Sequence, residues 1–326
     1  MPDISIIIVN YKGWERLTEC LDSLKIIEDS RFSFEVIVVE NCSNDGRLAS
    51  FTQLYPKFTF IENAGNLGFA SGCNLGVSKS KGPFLLFLNP DTIVNAEAIF
   101  LMREEVRMRK DFSVISCQQV KTDGSKEQPY GRFLTISTLS GWLRALNQLV
   151  NNSKKVQFQQ TENYIYPDWV SGSVIMVSRK SFNGLGGWDV DFWMYYEDVD
   201  LCRRAHQKNG DVVLLKNAII VHNHGGSSRI NLHTTALTKT EVNISRHVYI
   251  SKHETGWKAV LMHTFLVLNN LLFGFIPALA GSILFFIRDL NIISRIYFRL
   301  AGYYLNCLKQ RTWLSIRSVN YNLKRG

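Results

Sequence analysis

The stretch DFWMYYEDVDLCRR, residues 191–204, sets carboxylates among aromatic side chains and ends on two arginines. A helix beginning near Glu197 turns Asp198 and Asp200 about 200° apart, so only one of them enters a cleft. Asp198 shares the packed side with Leu201 and Cys202, and an ionised carboxylate there can take the proton of an attacking hydroxyl. Asp200 and Arg204, at i,i+4, are expected to pair on the surface. Glu197, at the helix start, can cap backbone amides or meet an acceptor hydroxyl. In VHNHGGSS, residues 221–228, His222 and His224 project to one face of an extended segment, and either can ligate an ion. Two histidines without a third ligand do not make a zinc site. In LFLNPD, Asn89 and Asp91 follow an apolar run and can hold a divalent cation, Mg²⁺ or Mn²⁺, against a diphosphate. A plain turn opening the next helix is the alternative. Glu40 heads ENCSNDG and can accept two donors, as a nucleobase imide or ribose hydroxyls supply; the same composition suits a turn without ligand. NAGNLGFASGCNLG carries Gly68, Gly72 and Gly76 four residues apart, along one helix face that a backbone can approach. A pyrophosphate at that helix start would meet free N–H groups. The run is not a G-x-G-x-x-G after the first strand, and no Walker lysine motif occurs, which argues against an oxidoreductase or kinase.

These residues need a frame that gathers them at one edge. Residues 4–9 form an unbroken apolar run that suits a buried parallel strand. Helices are predicted over 13–27, 48–55, 69–78 and 96–109, alternating with strands over 34–39, 58–61, 84–88 and 114–118. Such alternation specifies an α/β fold with a mostly parallel central sheet and helices on both faces. Ligands of these sheets bind beyond the carboxyl ends of the strands, where Asn10, Glu40 and Asn89 to Asp91 fall. Residues 121–167 are polar, aromatic and irregular, and are expected to form a variable wall over a ligand site. Order returns over 169–177, and residues 212–215 and 218–221 read as closing strands.

The formal net charge of +9 favours acidic partners: nucleic acid, anionic lipid or phosphorylated metabolites. Six cysteines without a CxxC pair point to a reducing compartment, and the MPDISIIIVNY start predicts no cleaved signal. Residues 259–287 contain no Asp, Glu, Lys or Arg. Their length permits one membrane span of ~20 residues. The interruptions His263, Asn269, Asn270 and Pro277 equally permit a broken pair of helices lying in the interface. Arg288, Arg295, Arg299, Lys309, Arg311, Arg317, Lys324 and Arg325 then face only Asp289, among interleaved aromatics. Such a tail suits an anionic membrane surface, where each well-placed cation contributes ~1 kcal/mol. The expected division is a catalytic domain over 1–255, with halves 1–120 and 121–255, and a helical membrane-associating tail over 256–326.

Taken together and in order, ISIIIVNY, VVENCSNDG, NAGNLGFASGCNLG, LFLNPD, GLGGWDVDFWMYYEDVDLCRR and VHNHGGSS closely resemble the family-2 inverting glycosyltransferases, particularly their bacterial rhamnosyltransferase-like branch. The likeness covers residues 3–255 and implies a GT-A fold. By resemblance, Val9, Asn10 and Tyr11 line the nucleobase, and Glu40 stands where the family commonly has an aspartate touching the nucleoside. Asn66, Gly68 and Asn74 lie beside the nucleotide sugar, and Trp188 and Asp189 shape the acceptor side. Asp91 carries the metal role with Asn89 in a weaker one, His222 is the late metal histidine, and His224 is second choice. Asp198 matches the catalytic base, with Glu197 its acidic neighbour. The branch implies dTDP-L-rhamnose as donor and a saccharide on a polyprenyl diphosphate as acceptor, at the cytoplasmic face of the inner membrane.

Three rivals are weighed against this. The charge permits nucleic-acid binding, but the densest basic run lies beside the apolar segment, as at a membrane. A catalytically silent sugar-binding scaffold would be indifferent to loss of Asp198. A UDP-linked donor would use the same chemistry.

Overall fold

The computed structural model describes residues 1–141, 143, 149, 158–223 and 231–321; His224, Lys324 and Arg325 lie outside the described residues. The chain divides into two units. The first comprises Met1–Phe133, Phe158–Val190 and Glu197–Ser227.

In the first unit β1 (Ile4–Asn10), β2 (Phe34–Glu40), β3 (Thr59–Glu62) and β4 (Phe84–Leu88) run parallel in the order β3-β2-β1-β4. Their register sets Asn10 opposite Glu40 and Glu40 opposite Glu62, level at the carboxyl edge. Beyond β4 the directions are mixed. β11 (Val174–Ser178) is antiparallel to β4 and to β6 (Val114–Val120), and β12 (Val212–His222) is parallel to β6. β8 (Gln159–Gln160), β9 (Tyr164–Tyr166) and β5 (Thr92–Ile93) complete this sheet; β7 (Tyr130–Gly131) and β10 (Trp169–Val170) form a separate pair. The sheet is therefore mixed rather than mostly parallel. The cause is topological: the chain leaves β6 at the carboxyl edge and re-enters β11 at that same edge, opposite Leu88, so β11 must run backwards. Residues 212–221, expected as two strands, are one strand whose register shifts between Leu215 and Ile219.

Helices cover both faces because β1 alternates between them. Ile4, Ile6 and Ile8 meet Leu17, Leu21 and Leu24 of α1 (Trp14–Lys25), Phe51 of α2 (Leu48–Leu54), and Ile99 and Met102 of α4 (Ala96–Met108). Ile7 and Val9 meet Ala70 and Cys73 of α3 (Phe69–Ser78), Phe182 of α5 (Arg179–Leu185), and Leu201, Cys202 and Ala205 of α6 (Glu197–Gln207). Each fully buried Ile or Leu stabilises the unit by about 1.5–3 kcal/mol.

The second unit comprises Leu134–Gln157, Asp191–Tyr196 and Ser228–Gly326. It contains α7 (Leu232–His253), the long apolar helix α8 (Gly256–Ile283) and α9 (Arg288–Gln310). Within α8 the chain widens into a π turn over Asn269–Phe273. Pro277, which has no N–H for the carbonyl of Phe273, follows that turn, so the widening absorbs the missing bond. α9 folds back along α8: Ser282 and Ser294 hydroxyls stand 2.8 Å apart, and Gly281 packs where any Cβ would strike the Leu290 carbonyl. Nearby, the rings of His247 and His263 lie coplanar with their Nδ1 atoms 2.8 Å apart, and the Trp313 indole stacks on both.

Candidate active site

All sequence-identified site residues that the structure describes belong to the first unit. At its carboxyl edge, β5 pairs antiparallel with the end of β12, setting His222 opposite Thr92. This register brings the His222 Nε2 to 3.2 Å from Asp91 Oδ1, while Asn223 N–H donates to the Asp91 carbonyl at 2.8 Å. The imidazole is buried, and its Nδ1 lies 3.6 Å from the Glu127 carboxylate. Glu127 was not singled out in the sequence; it sits in the irregular stretch after β6, where no periodicity marks it.

Asp91 and His222 fit a divalent cation. Two cis ligands, each ~2.1 Å from an octahedral ion, lie ~3 Å apart, close to the separation of Oδ1 and Nε2. Among the described residues no cluster of three or more His, Cys, Asp and Glu forms a closed metal cage. A cation bound through two protein ligands keeps its remaining positions for water and substrate phosphate oxygens, the usual habit of Mg²⁺ in nucleotide sites. The Asn89 N–H donates to the Ser173 carbonyl at 2.9 Å and its carbonyl accepts from Thr92, which fixes the turn that presents Asp91.

The same peptide segment anchors Asp198. Gly172 N–H donates to Asp198 Oδ2 at 2.8 Å, and Val199 N–H donates to Oδ1 at 2.8 Å. Residues 172 and 173 thus hold the carboxylate at the start of α6 on one side and the Asn89 turn on the other. Gly172 lies against Asp198 and the Phe69 ring, where a Cβ would make ordinary contact at 3.4 Å from Asp198 Cβ and 3.6 Å from the ring. Burial raises the Asp198 pKa above the ordinary aspartate value, opposed by these two N–H donors. Glu197 is pushed much further up, by burial and then by the Asp198 charge. Its Oε2 is buried without a hydrogen-bond partner, and the Cys73 thiol of α3 feels its charge. Of the two neighbours, Glu197 is pushed further towards its protonated form. Glu197 thus lies buried within electrostatic reach of α3. Asp200 pairs with Arg204 at 2.6 Å as the spacing predicts, but the pair is not on the surface: Asp200 is 1% exposed, and Arg204 also donates to the Leu185 carbonyl.

The nucleotide-side residues play more structural parts than their sequence context suggests. The Glu40 carboxylate is buried and accepts from the Ser43 N–H and hydroxyl, while Lys12 N–H donates to Ser43 Oγ at 2.8 Å. Glu40 thereby shapes the loop beside Tyr11, with Cys42, Asn44 and Gly46 in left-handed conformation. Asn10 is buried, its Oδ1 accepting from Gly13 and its Nδ2 without a partner. Asn66 Oδ1 accepts from Asn41 and Gly68, and Asn41 also joins Asn63. Asn74 donates to the Trp188 carbonyl at 2.7 Å and accepts from its N–H, tying α3 to the segment before Asp189. The Trp188 indole, expected to shape the acceptor side, is 1% exposed and packs edge-on against Phe69 and Phe87. Gly68 caps α3 with φ +88°, but Gly72 and Gly76 face Val9 and Ile7, so that face serves helix–sheet packing rather than ligand approach.

The model of glycosyl transferase family 2 matches residues 5–177. The chain is 28% identical over 233 residues to the low-salt glycan biosynthesis hexosyltransferase Agl10 of Haloferax volcanii, covering 68% of each chain. It is 23% identical over 278 residues to the N-acetylglucosaminyl-diphospho-decaprenol L-rhamnosyltransferase of Mycobacterium tuberculosis, covering 79% of this chain and 87% of that one. Among solved structures, the mannosyltransferase PcManGT from Pyrobaculum calidifontis, in complex with GDP-Man and Mn²⁺, aligns with a TM-score of 0.53 at 14% identity. That alignment covers 93% of this chain and 75% of the other, a likeness of fold. With a family match over more than half its length, on a GT-A-like mixed sheet with flanking helices, the chain belongs to glycosyl transferase family 2, the inverting transferases that move a sugar from a nucleotide-sugar donor.

Proposed function

We propose that this transferase moves L-rhamnose from dTDP-L-rhamnose to a hydroxyl of a polyprenyl-diphosphate-linked saccharide during bacterial surface polysaccharide synthesis. The observation that carries the chemistry is the Asp198 carboxylate at the start of α6, held by the backbone N–H groups of Gly172 and Val199 in the same unit as the Asp91–His222 pair. Asp198 takes the proton of the acceptor hydroxyl as that oxygen attacks the anomeric carbon from the side opposite the diphosphate. Asp91 and His222 would hold Mg²⁺ or Mn²⁺, which offsets the charge developing on the leaving nucleoside diphosphate. One displacement inverts the anomeric centre and needs no second carboxylate as nucleophile. Glu40 and Asn10, with the loop around Tyr11, would form the nucleoside end, and Asn66 and Gly68 the edge beside the sugar.

The acceptor class is supported by the mycobacterial relative, whose described acceptor is a diphospho-decaprenol saccharide. It is also supported by α8, 28 residues long and apolar, with Trp257, Leu272, Ile276 and Ile283 all more than 60% exposed. We place the protein as a peripheral or monotopic enzyme at the cytoplasmic membrane face. A crossing α8 would carry α9 with it into lipid, since the two pack together, and α9 bears Arg288, Asp289, Arg295, Arg299 and Lys309. A UDP-linked hexose is the second reading, because the haloarchaeal relative is described as a hexosyltransferase. Incubating the purified enzyme with dTDP-rhamnose, UDP- and GDP-hexoses, Mg²⁺ or Mn²⁺ and a lipid-diphosphate saccharide, with mass spectrometry of the product, decides the donor. A rhamnosyl addition is expected; a hexosyl addition alone would replace the donor assignment.

A further inference from the structure

Arginines in the first unit are mostly neutralised: Arg16, Arg31, Arg103, Arg107, Arg109 and Arg204 each lie within 4 Å of a carboxylate. One group in the second unit departs from that habit. Arg295 and Arg299 stand one helical turn apart on α9 and so share a face. The Arg299 guanidinium donates to His233 Nε2, 2.9 Å away at the start of α7. Arg317 lies over the Trp193 ring, 5.5 Å from its centre. Among the described residues no carboxylate forms an ion pair with Arg295, Arg299 or Arg317. Burial, then the charges of Arg317 and Arg295, lower the Arg299 pKa from the ordinary guanidinium value.

One carboxylate faces the group. Glu241 of α7 is buried, accepts from the Ser315 hydroxyl at 3.1 Å, and leaves its other oxygen without a partner. Burial raises its pKa to about 7, against the lowering pull of Ser315, Arg317 and Arg299. One carboxylate cannot balance three guanidinium groups, so the group keeps an excess of positive charge. Such a cluster is stabilised by an anion of more than one charge, and planar guanidinium forks match phosphate oxygens. The surroundings are amphiphilic as well: Phe298, 61% exposed, directly precedes Arg299, and Ile316, 58% exposed, directly precedes Arg317. Both basic segments therefore also carry exposed apolar side chains, as a ligand with an anionic head and a hydrocarbon tail requires.

We propose that Arg295, Arg299 and Arg317, with His233, seat the diphosphate of an isoprenoid-diphosphate lipid, the membrane end of the acceptor. The proposal rests on the lipid-linked acceptor reading above and assigns residues to it. A doubly charged diphosphate suits the excess of cations better than the single charge of a bulk phospholipid phosphodiester. Trp193, beneath Arg317, lies in the short segment that leads in sequence to Glu197 and Asp198.

Calorimetric titration of the full chain in non-ionic micelles tests this, with farnesyl diphosphate, inorganic pyrophosphate and phosphatidylglycerol vesicles as separate arms. Farnesyl diphosphate should bind more tightly than pyrophosphate, and at least tenfold more weakly to the Arg299→Gln/Arg317→Gln variant. Binding of dTDP with Mn²⁺ should be the same in both proteins. If the double variant does not fold, the exposed Arg295→Gln variant substitutes, with about a threefold loss expected. Equal affinity of wild type and folded variant for farnesyl diphosphate overturns the seat while leaving the transferase reading intact. Vesicle binding that falls in the variant, with no farnesyl diphosphate binding in either protein, makes the cluster a general lipid contact and also overturns it. Failure of every nucleoside diphosphate to bind the wild type counts instead against the donor reading.

Discussion

Burial raises the pKa of both Glu197 and Asp198, Glu197 the further, and the difference comes with their donors. Two N–H groups hold the Asp198 charge in place, whereas Glu197 has an oxygen with no partner and a charged neighbour. Glu197→Gln should accordingly retain transfer within about threefold, because burial already favours the protonated side chain. The same substitution has a signed effect on stability. A carboxyl group whose folded pKa lies above its unfolded value binds more protons in the native state through that window, so stability is lost as pH rises across it. Thermal melts from pH 5 to 9 should show the Glu197→Gln protein gaining on wild type as pH rises; a constant offset would contradict the assignment. His222→Ala should raise the Mn²⁺ concentration for half-maximal transfer at least tenfold, read by metal titration of initial rates. The positions of Asp91, His222 and Asp198 at strand and helix ends were legible from the sequence, and the roles proposed for them come from the family resemblance. The burial of Glu197 was not legible, because two adjacent helical carboxylates differ only in what packs against them.

At the scale of elements, the parallel half of the sheet follows from local pattern: unbroken apolar strands alternating with amphipathic helices. The antiparallel β11 could not be read that way, since its direction is set by where the chain returns after residues 121–171. The glycine ladder of α3 shows the same limit. Four-residue spacing marks a bare helix face, but only the neighbouring strand shows that Ile7 and Val9, not a ligand, fill it. A Cβ at Gly76 would stand 2.6 Å from the Ile7 side chain, which is itself buried. Gly76→Ala should cost about 1–3 kcal/mol despite its better helix propensity, seen as a lower denaturation midpoint with unchanged slope. Equal or greater stability would mean that α3 can shift away from β1 freely.

For the whole molecule, the net charge of +9 does not separate a chain that binds anions from one that lies on lipid; the proposed membrane contact rests on a charge-free run followed by basic aromatic sequence. Its length was compatible with a crossing; the packing of charged α9 along α8 is what favours an interfacial seat, and no periodicity encodes that. Leu272→Lys with Ile276→Lys should remove most binding to neutral vesicles, measured by co-sedimentation, while transfer to a short soluble acceptor persists. Undiminished sedimentation would place the membrane contact elsewhere. The most direct measurement on the chemistry itself compares transfer rate with donor affinity in the Asp198→Asn protein. A fall in kcat of about 10²–10⁴-fold, with the nucleotide-sugar Kd unchanged within threefold, is the result expected of a general base. Transfer at the wild-type rate, or loss of donor binding in step with loss of rate, would contradict it.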